Sequence, residues 1–385
     1  HNQKRKWNVV FEQYVIPPYR VPFFEQLSKE VNLTVVASTN RNIDGVADVV
    51  DNLPFRVLRF PENSDGSWFH KEIFNVMQEC KADAFISFSS VLNGVLWKPE
   101  LWKKMQESGV KIFWMGCDGF DVRNFWLERL LRFKPWHPKG IYRALRFSTA
   151  IRRTNGFICY STYTAKYFHN VHNVSEDKIF IAQNAIDTSV LSRRYYDFVQ
   201  HGIQRRPREV VFVGRLIPGK RVDILVRAFS HVVSAIPAVS LKIIGDGSER
   251  NNLEKLVRDL GIEANVKFMG ALHDDQRLSE EMYTASLFVM PGLGGLGLNT
   301  AMAMGLPIVC THADGTEKDL VIQGYNGWRF DGSEKKLVEI LKNAFENPTL
   351  LDEMGKRSLY LIEHRFNLQN MVQGYVKALN NILTT

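Results

Sequence analysis

The chain has 385 residues, 45% of them apolar and 23% charged, which is ordinary for a globular protein and long enough for two domains with cores of their own. No stretch comes near the roughly 18 uninterrupted apolar residues of a spanning helix, and the opening His-Asn-Gln-Lys-Arg-Lys leads into a strand rather than a signal peptide, so neither a membrane span nor export is expected. A formal charge of +8 leaves nucleic acid, anionic lipid and acidic substrates open, while Cys80, Cys117, Cys159 and Cys310 stand singly, without the paired spacing of a metal knuckle or a redox dithiol.

A strand is predicted over residues 7–11, followed by a proline-rich loop at 16–22 and a helix begun by Phe23, Phe24 and Leu27. Further β-type runs stand at 33–37, 84–88, 110–114, 156–160 and 178–182, with room for a crossover helix between them. Such alternation predicts an α/β fold with a doubly wound parallel sheet. Between Arg123 and Arg153 nine Lys or Arg residues face one acid, Glu128, and six aromatics interleave with them. Pro135 and Pro138 split this region into two helical pieces, with Trp126, Leu130 and Phe133 on one face of the first and Ile141, Ala144 and Leu145 along the second. Two readings stand: helices lying in a lipid interface, cations on anionic headgroups, or ordinary helices with a solvated basic face. No stacking platform or groove-reading module accompanies the charge, so a nucleic-acid partner is not expected.

Residues 195–208 turn polar and basic and mark a boundary, giving a first domain over 1–200 and a second over 208–365. The second domain repeats the alternation with strands predicted at 210–213, 241–244, 266–269, 287–290 and 307–311. Residues 366–385 read as one amphipathic helix through Met371, Val372, Tyr375, Leu379, Ile382 and Leu383.

Three turns in the second half share one design. Gly214-Arg215, Gly245-Asp246-Gly247 and the run from Pro291 through Gly292, Gly294, Gly295 and Leu296 each follow an apolar strand. Glycine turns between strand and helix expose backbone N–H groups and a positive helix end to an anion. Arg215 and Lys220 accompany the first turn, and a diphosphate held by backbone dipoles and fixed cations suggests a nucleotide-activated donor.

The motifs Val-Val-Phe-Val-Gly-Arg-Leu (210–216), Lys220, Leu-Lys-Ile-Ile-Gly-Asp-Gly-Ser (241–248), Asn-Val-Lys-Phe-Met-Gly (265–270), Tyr-Thr-Ala-Ser-Leu-Phe-Val-Met-Pro-Gly (283–292), Ala-Met-Ala-Met-Gly-Leu-Pro (301–307) and Gly-Tyr-Asn-Gly (324–327) stand in order. Together they resemble the carboxy-terminal half of retaining, family-four glycosyltransferases. The resemblance implies the GT-B fold: two Rossmann-like, doubly wound parallel-sheet domains with a cleft between them, the last helix crossing back to the first domain. It implies metal-independent transfer from a nucleoside-diphosphate sugar, with no cofactor and no metal. Arg215 and Lys220 match the family's diphosphate-binding pair, where cations stabilise the departing charge. Gly214, Gly245, Gly292, Gly294, Gly295, Leu296, Asn299, Thr300 and Glu317 then belong to the donor side. Glu317 also has a second reading, as the acid that caps a helix start.

On the acceptor side, Gly116-Cys-Asp-Gly-Phe-Asp follows the strand at 110–114, at a carboxyl edge where such sheets place ligands. Where many relatives carry a histidine near Cys117, this chain offers Asp118 and Asp121. The proline loop resembles the first loop of polysaccharide-building relatives and adds Tyr19 and Arg20. Asp118 either orients the acceptor hydroxyl or simply forms a turn, and Tyr19 and Arg20 either meet the acceptor or belong to a rigid loop with a surface arginine. Likeness to bacterial surface-polysaccharide enzymes implies a lipid-linked glycan acceptor and a place at the cytoplasmic face of the membrane, with 123–153 on the anionic surface.

The second half departs from the family in two ways. Arg221 stands where glycine is common. The family's two glutamates, eight positions apart, are replaced by Gly292 and Thr300, in a subgroup-like Pro-Gly-x-x-Gly-Leu loop. A donor-dead scaffold and a sugar-nucleotide epimerase are the alternatives this leaves.

Overall fold

The structure is a computed structural model that describes residues 5–39, 48–49, 52–61, 72–88, 96–116, 136–313 and 315–384. These residues form two units, one running up to Asp187 and resuming at Leu368, the other from Thr188 to Asn367.

In the first unit the strands are β1 (Asn8–Glu12), β2 (Asn32–Ser38), β3 (Arg56–Phe60), β4 (Ala84–Phe88), β5 (Lys111–Gly116), β6 (Gly156–Cys159) and β7 (Ile179–Ile181). They lie parallel in the order β3-β2-β1-β4-β5-β6-β7. Alternation along each strand divides the apolar side chains between two layers. Val9 and Phe11 pack with Phe23, Phe24 and Leu27 of helix Val21–Glu30, whereas Val10, Val36, Phe85, Trp114 and Phe157 fill the opposite layer. The first layer is closed by helix Leu368–Leu383, through Met371, Val372, Tyr375 and Leu379. Tyr375 is wholly buried with its ring 4.9 Å from that of Phe23, and Trp7 Nε1 donates to Asn380 Oδ1 at 2.9 Å. Burying each such large side chain is worth roughly 1.5–3 kcal/mol, which holds the end of the chain to the unit in which it began.

The second unit is built from β8 (Glu209–Val213), β9 (Ser240–Ile244), β10 (Val266–Gly270), β11 (Leu287–Met290), β12 (Ile308–Thr311) and β13 (Gly327–Phe330), parallel in the order β10-β9-β8-β11-β12-β13. Lys242, inside β9, is buried and ion-paired to Glu209 and Glu281, each at 2.7 Å, so its charge is compensated within the core.

Three features differ from the sequence expectation. Helix Ser189–Gln200 and the basic stretch after it belong to the second unit rather than to a first domain ending at 200. The reason is packing: the Tyr195 and Phe198 rings lie 5.6 and 5.1 Å from Tyr283, and Arg194 Nη1 donates to the Asp275 carbonyl and to Ser279 Oγ at 3.0 Å each. Arg205 is no linker charge either. Its guanidinium donates to four carbonyls, of Tyr283, Ala285, Met304 and Gly305, at 2.7–3.0 Å. Second, β3 and β13 are additional strands; β3 is a half-buried edge with arginines in it, and β13 opens on a glycine. Gly327 is needed because a Cβ there would stand 1.9 Å from the Ile308 carbonyl oxygen of the neighbouring strand.

Third, helix Pro138–Arg153 turns Phe147, Ala150 and Ile151 inward and leaves Ile141, Tyr142 and Leu145 about half exposed, at 49%, 49% and 55%. Trp136 just before it is 68% exposed. Trp126, Leu130 and Phe133 lie outside the described residues.

Candidate functional site

In a doubly wound sheet ligands bind beyond the carboxyl ends of the strands, at the place where the strand order reverses. In the second unit that place lies between β8 and β11. The loops that leave these two strands carry Gly214, Arg215 and Lys220, and Gly292 through Leu296, respectively.

The turns are fastened to one another through backbone. Gly214 N–H donates to the Ile244 carbonyl at 3.0 Å, Leu216 N–H to the Asp246 carbonyl at 2.8 Å, and Glu249 N–H to the Leu216 carbonyl at 2.8 Å. A Cβ on Gly245 would lie 1.9 Å from the Gly214 carbonyl oxygen, and one on Gly247 2.4 Å from that of Leu216. Only glycine allows so close an approach. The loop after β11 then closes on the loop after β8. Leu293 N–H donates to the Gly219 carbonyl at 3.0 Å, and the Lys220 ammonium donates to the carbonyls of Leu293 and, at 3.2 Å, Gly294. A Cβ on Gly292 would meet the Gly219 carbonyl oxygen at 2.4 Å and that of Lys220 at 2.6 Å. The position where the family carries its first glutamate therefore has no room for a side chain in this chain.

Arg215 is exposed on the same loop. Arg221 has a φ of 52° and sits at the start of helix Val222–Ala235, a left-handed conformation that favours glycine and accounts for glycine being common there. Its guanidinium lies 3.1 Å from the point where a side chain on Gly332 would begin, so the two neighbouring cations diverge, Lys220 to the loop after β11 and Arg221 to the loop after β13.

Gly295 has a φ of 65° and precedes Leu296, the residue at the start of helix Gly297–Ala303. Asn299 is only 1% exposed, and its Nδ2 has no hydrogen-bond partner among the described residues. Thr300, at the second glutamate's place, turns its hydroxyl back to the Leu296 carbonyl at 3.5 Å. Glu317 is buried at the start of helix Glu317–Leu320, where Oε2 accepts the Gly315 N–H at 2.9 Å and Oε1 lies 4.0 Å from His312 Nδ1. Burial, with Glu317 nearby, pushes the Cys310 thiol upward and keeps it protonated.

On the first unit Tyr19 is 45% exposed, but Arg20 is not a surface arginine. It is buried, donates from Nη2 to the Tyr160 hydroxyl at 2.8 Å and from Nη1 to Met371 Sδ at 3.7 Å, and lies over the Phe23 ring. Asp118 and Asp121 lie outside the described residues. Sequence reasoning passes over Glu12, the last residue of β1, which is buried and accepts from Ser87 Oγ at 2.7 Å. Its one available signal is an acid closing an otherwise apolar strand. Desolvation raises its pKa to about 8, the Ser87 hydrogen bond opposing the rise.

The family model described as "Glycosyl transferases group 1" matches residues 195–359. Over 175 residues, 44% of this chain and 49% of the relative, the chain is 29% identical to the lipopolysaccharide core biosynthesis glycosyltransferase LpsE of Rhizobium meliloti. Over 160 residues, 40% of this chain and 44% of the relative, it is 31% identical to an uncharacterized glycosyltransferase of Haemophilus influenzae. The chain thus spans about half the length, or less, of these two curated relatives. The crystal structure of Anabaena HepE in complex with UDP shares the fold, with a TM-score of 0.69 at 18% identity over 97% of this chain and 99% of that one. The two-sheet architecture is that of the GT-B fold. The residues this family model matches, 195–359, hold both loops at the second switch point.

Proposed function

We propose that the protein is a retaining, metal-independent glycosyltransferase that moves a sugar from a nucleoside-diphosphate donor to a lipid-linked glycan during polysaccharide or glycoconjugate synthesis. One observation carries this reading: the loops after β8 and β11 meet at the switch point of the second sheet, bringing Arg215, Lys220 and a run of glycine N–H groups to one strand edge. Backbone dipoles and fixed cations of this kind stabilise a departing diphosphate without a metal ion. Crystals of HepE in complex with UDP and with UDP-glucose support a uridine nucleotide as the first donor to try. In a retaining transfer the departing phosphate oxygen can take the acceptor proton on the same face, so no protein base is required. Asn299 or Thr300 would supply a neutral hydrogen bond to the donor's ribose.

The acceptor class rests on other observations. Helix Pro138–Arg153 holds Lys139, Arg143, Arg146, Arg152 and Arg153 and no acid, and it exposes Ile141, Tyr142 and Leu145 on neighbouring positions. Cations beside exposed aromatic and aliphatic groups suit an anionic bilayer surface, here the cytoplasmic face, where a lipid-linked glycan is presented. Among the described residues no helix is long and apolar enough to cross a membrane.

The test is a thermal-shift screen against UDP, GDP, dTDP, ADP and CMP, since a ligand bound only by the folded state raises the melting temperature. A shift with one nucleotide that disappears in Arg215→Ala is the expected result. No shift with any of them would sink the transferase reading and leave a donor-dead scaffold.

A further inference from the structure

The first sheet has a switch point of its own, between β1 and β4, and its chemistry is the opposite of the second's. Glu12 closes β1, Ser38 closes β2, and Ser87 lies one residue before the end of β4; all three are buried, Glu12 at 4% exposure. They lie at alternate positions to Val10, Val36 and Phe85, hence above the same apolar layer. Ser87 Oγ donates to Glu12 Oε2 at 2.7 Å, while Glu12 Oε1 has no hydrogen-bond partner among the described residues. Arg59, which donates to the Ser38 carbonyl at 3.0 Å, is already paired with Asp48 at 2.9 Å.

An unpartnered buried oxygen is costly, and the packing gives no reason for an acid here, since an aliphatic side chain would continue the layer below. Sites that break such a rule are those where a ligand supplies the missing partner. A buried carboxyl group with one oxygen fixed by a serine and the other unpartnered matches a hydroxyl, which donates and accepts in turn.

We propose that Glu12, fixed by Ser87 at the switch point of the first sheet, binds a sugar hydroxyl of the acceptor glycan. The inference rests on the glycosyltransferase reading and names the acceptor side of it. Burial that keeps the carboxyl largely protonated near neutral pH agrees with contact to an uncharged hydroxyl.

The experiment uses the full chain, its Glu12→Leu and Ser87→Ala variants, and the octyl glycosides of glucose, galactose, mannose and N-acetylglucosamine as probes. Three readouts are taken: melting temperature with each glycoside and no donor, melting temperature with the nucleotide chosen by the screen, and nucleotide release from the donor with and without glycoside. At least one glycoside is expected to raise the wild-type melting temperature and stimulate nucleotide release. Glu12→Leu should melt at or above wild type, keep the nucleotide shift and the unstimulated release, and lose glycoside binding and at least tenfold of the stimulated rate. Ser87→Ala should raise the glycoside KM a few-fold at nearly unchanged kcat. The proposal is overturned if Glu12→Leu retains stimulation, if it melts well below wild type, which makes the carboxyl structural, or if no glycoside affects the wild type. Failure of the nucleotide shift in wild type would overturn the transferase reading instead, and the donor-free glycoside shift still decides whether Glu12 binds a sugar.

Discussion

Gly292→Ala is the smallest change that asks whether the loops after β8 and β11 meet as described. The added Cβ would lie 2.4 Å from the Gly219 carbonyl oxygen, so the loops must part by about 0.6 Å even to reach the 3.0 Å below which such contacts essentially never occur. Both neighbours are main chain, and neither can swing aside as a long side chain would. Parting the loops weakens the Leu293 N–H bond to the Gly219 carbonyl and the Lys220 contacts to the Leu293 and Gly294 carbonyls. Overpacking of this kind costs about 1–3 kcal/mol and a lost hydrogen bond about 1 kcal/mol. A total of about 2–4 kcal/mol corresponds to a fall in melting temperature of roughly 5–15 °C for a unit of this size. Nucleotide affinity should drop at least tenfold, because the cation and the glycine N–H groups no longer share one geometry. Differential scanning fluorimetry and calorimetric titration with the nucleotide measure the two effects. Thr300→Ala, which in the free protein removes the 3.5 Å bond back to Leu296, is the control for stability and should stay within about 0.5 kcal/mol of wild type in melting. If Gly292→Ala melts and binds like wild type, the contact between the loops, and the reason given for the missing glutamate, are wrong.

Arg205→Ala should lower the melting temperature of the second unit by an amount equivalent to about 3 kcal/mol, since it strands four carbonyls and removes the ring contact with Tyr283. A change worth under 1 kcal/mol in a denaturant titration would return Arg205 to the status of a surface charge. Glu12 gives a pH signature: between its unfolded value of 4.5 and its folded value of about 8, the folded chain holds a proton that the unfolded chain releases. Its contribution to stability is therefore fully present below pH 4.5 and falls, by up to about 1.4 kcal/mol per pH unit, until the folded pKa is passed. The melting temperature of Glu12→Gln should accordingly gain on wild type as pH rises from about 5 to 8, and a difference that stays constant across that range would show Glu12 to be ionised or exposed.

Much of this protein follows from its sequence for a local reason. Strands such as Val210–Val213 or Ala84–Phe88 in parallel sheets are covered on both faces, so they appear as short, largely apolar runs, and in the second unit a glycine turn, as at Gly214, names the strand end. Gly245 is legible in the same way, because the backbone it must admit belongs to the adjoining strand's turn. What stayed hidden was decided by partners distant in the chain. The edge strand Arg56–Phe60 is half-buried and carries two arginines, so its pattern is weak by itself. Helix Ser189–Gln200 is amphipathic wherever it packs, and only Tyr283 and Asp275 assign it to the second unit. Arg205 and Arg20 look like surface cations until the carbonyls of residues some 80–100 positions away, in one case, and the hydroxyl of Tyr160, in the other, surround them. The absent glutamate at Gly292 reads as a loss in the sequence; the Gly219–Lys220 backbone lying against it makes glycine a requirement. Composition and period report what each segment can bury or turn. Which charges become interior, and which oxygen is left waiting for a partner, depends on the approach of segments that only the folded chain brings together.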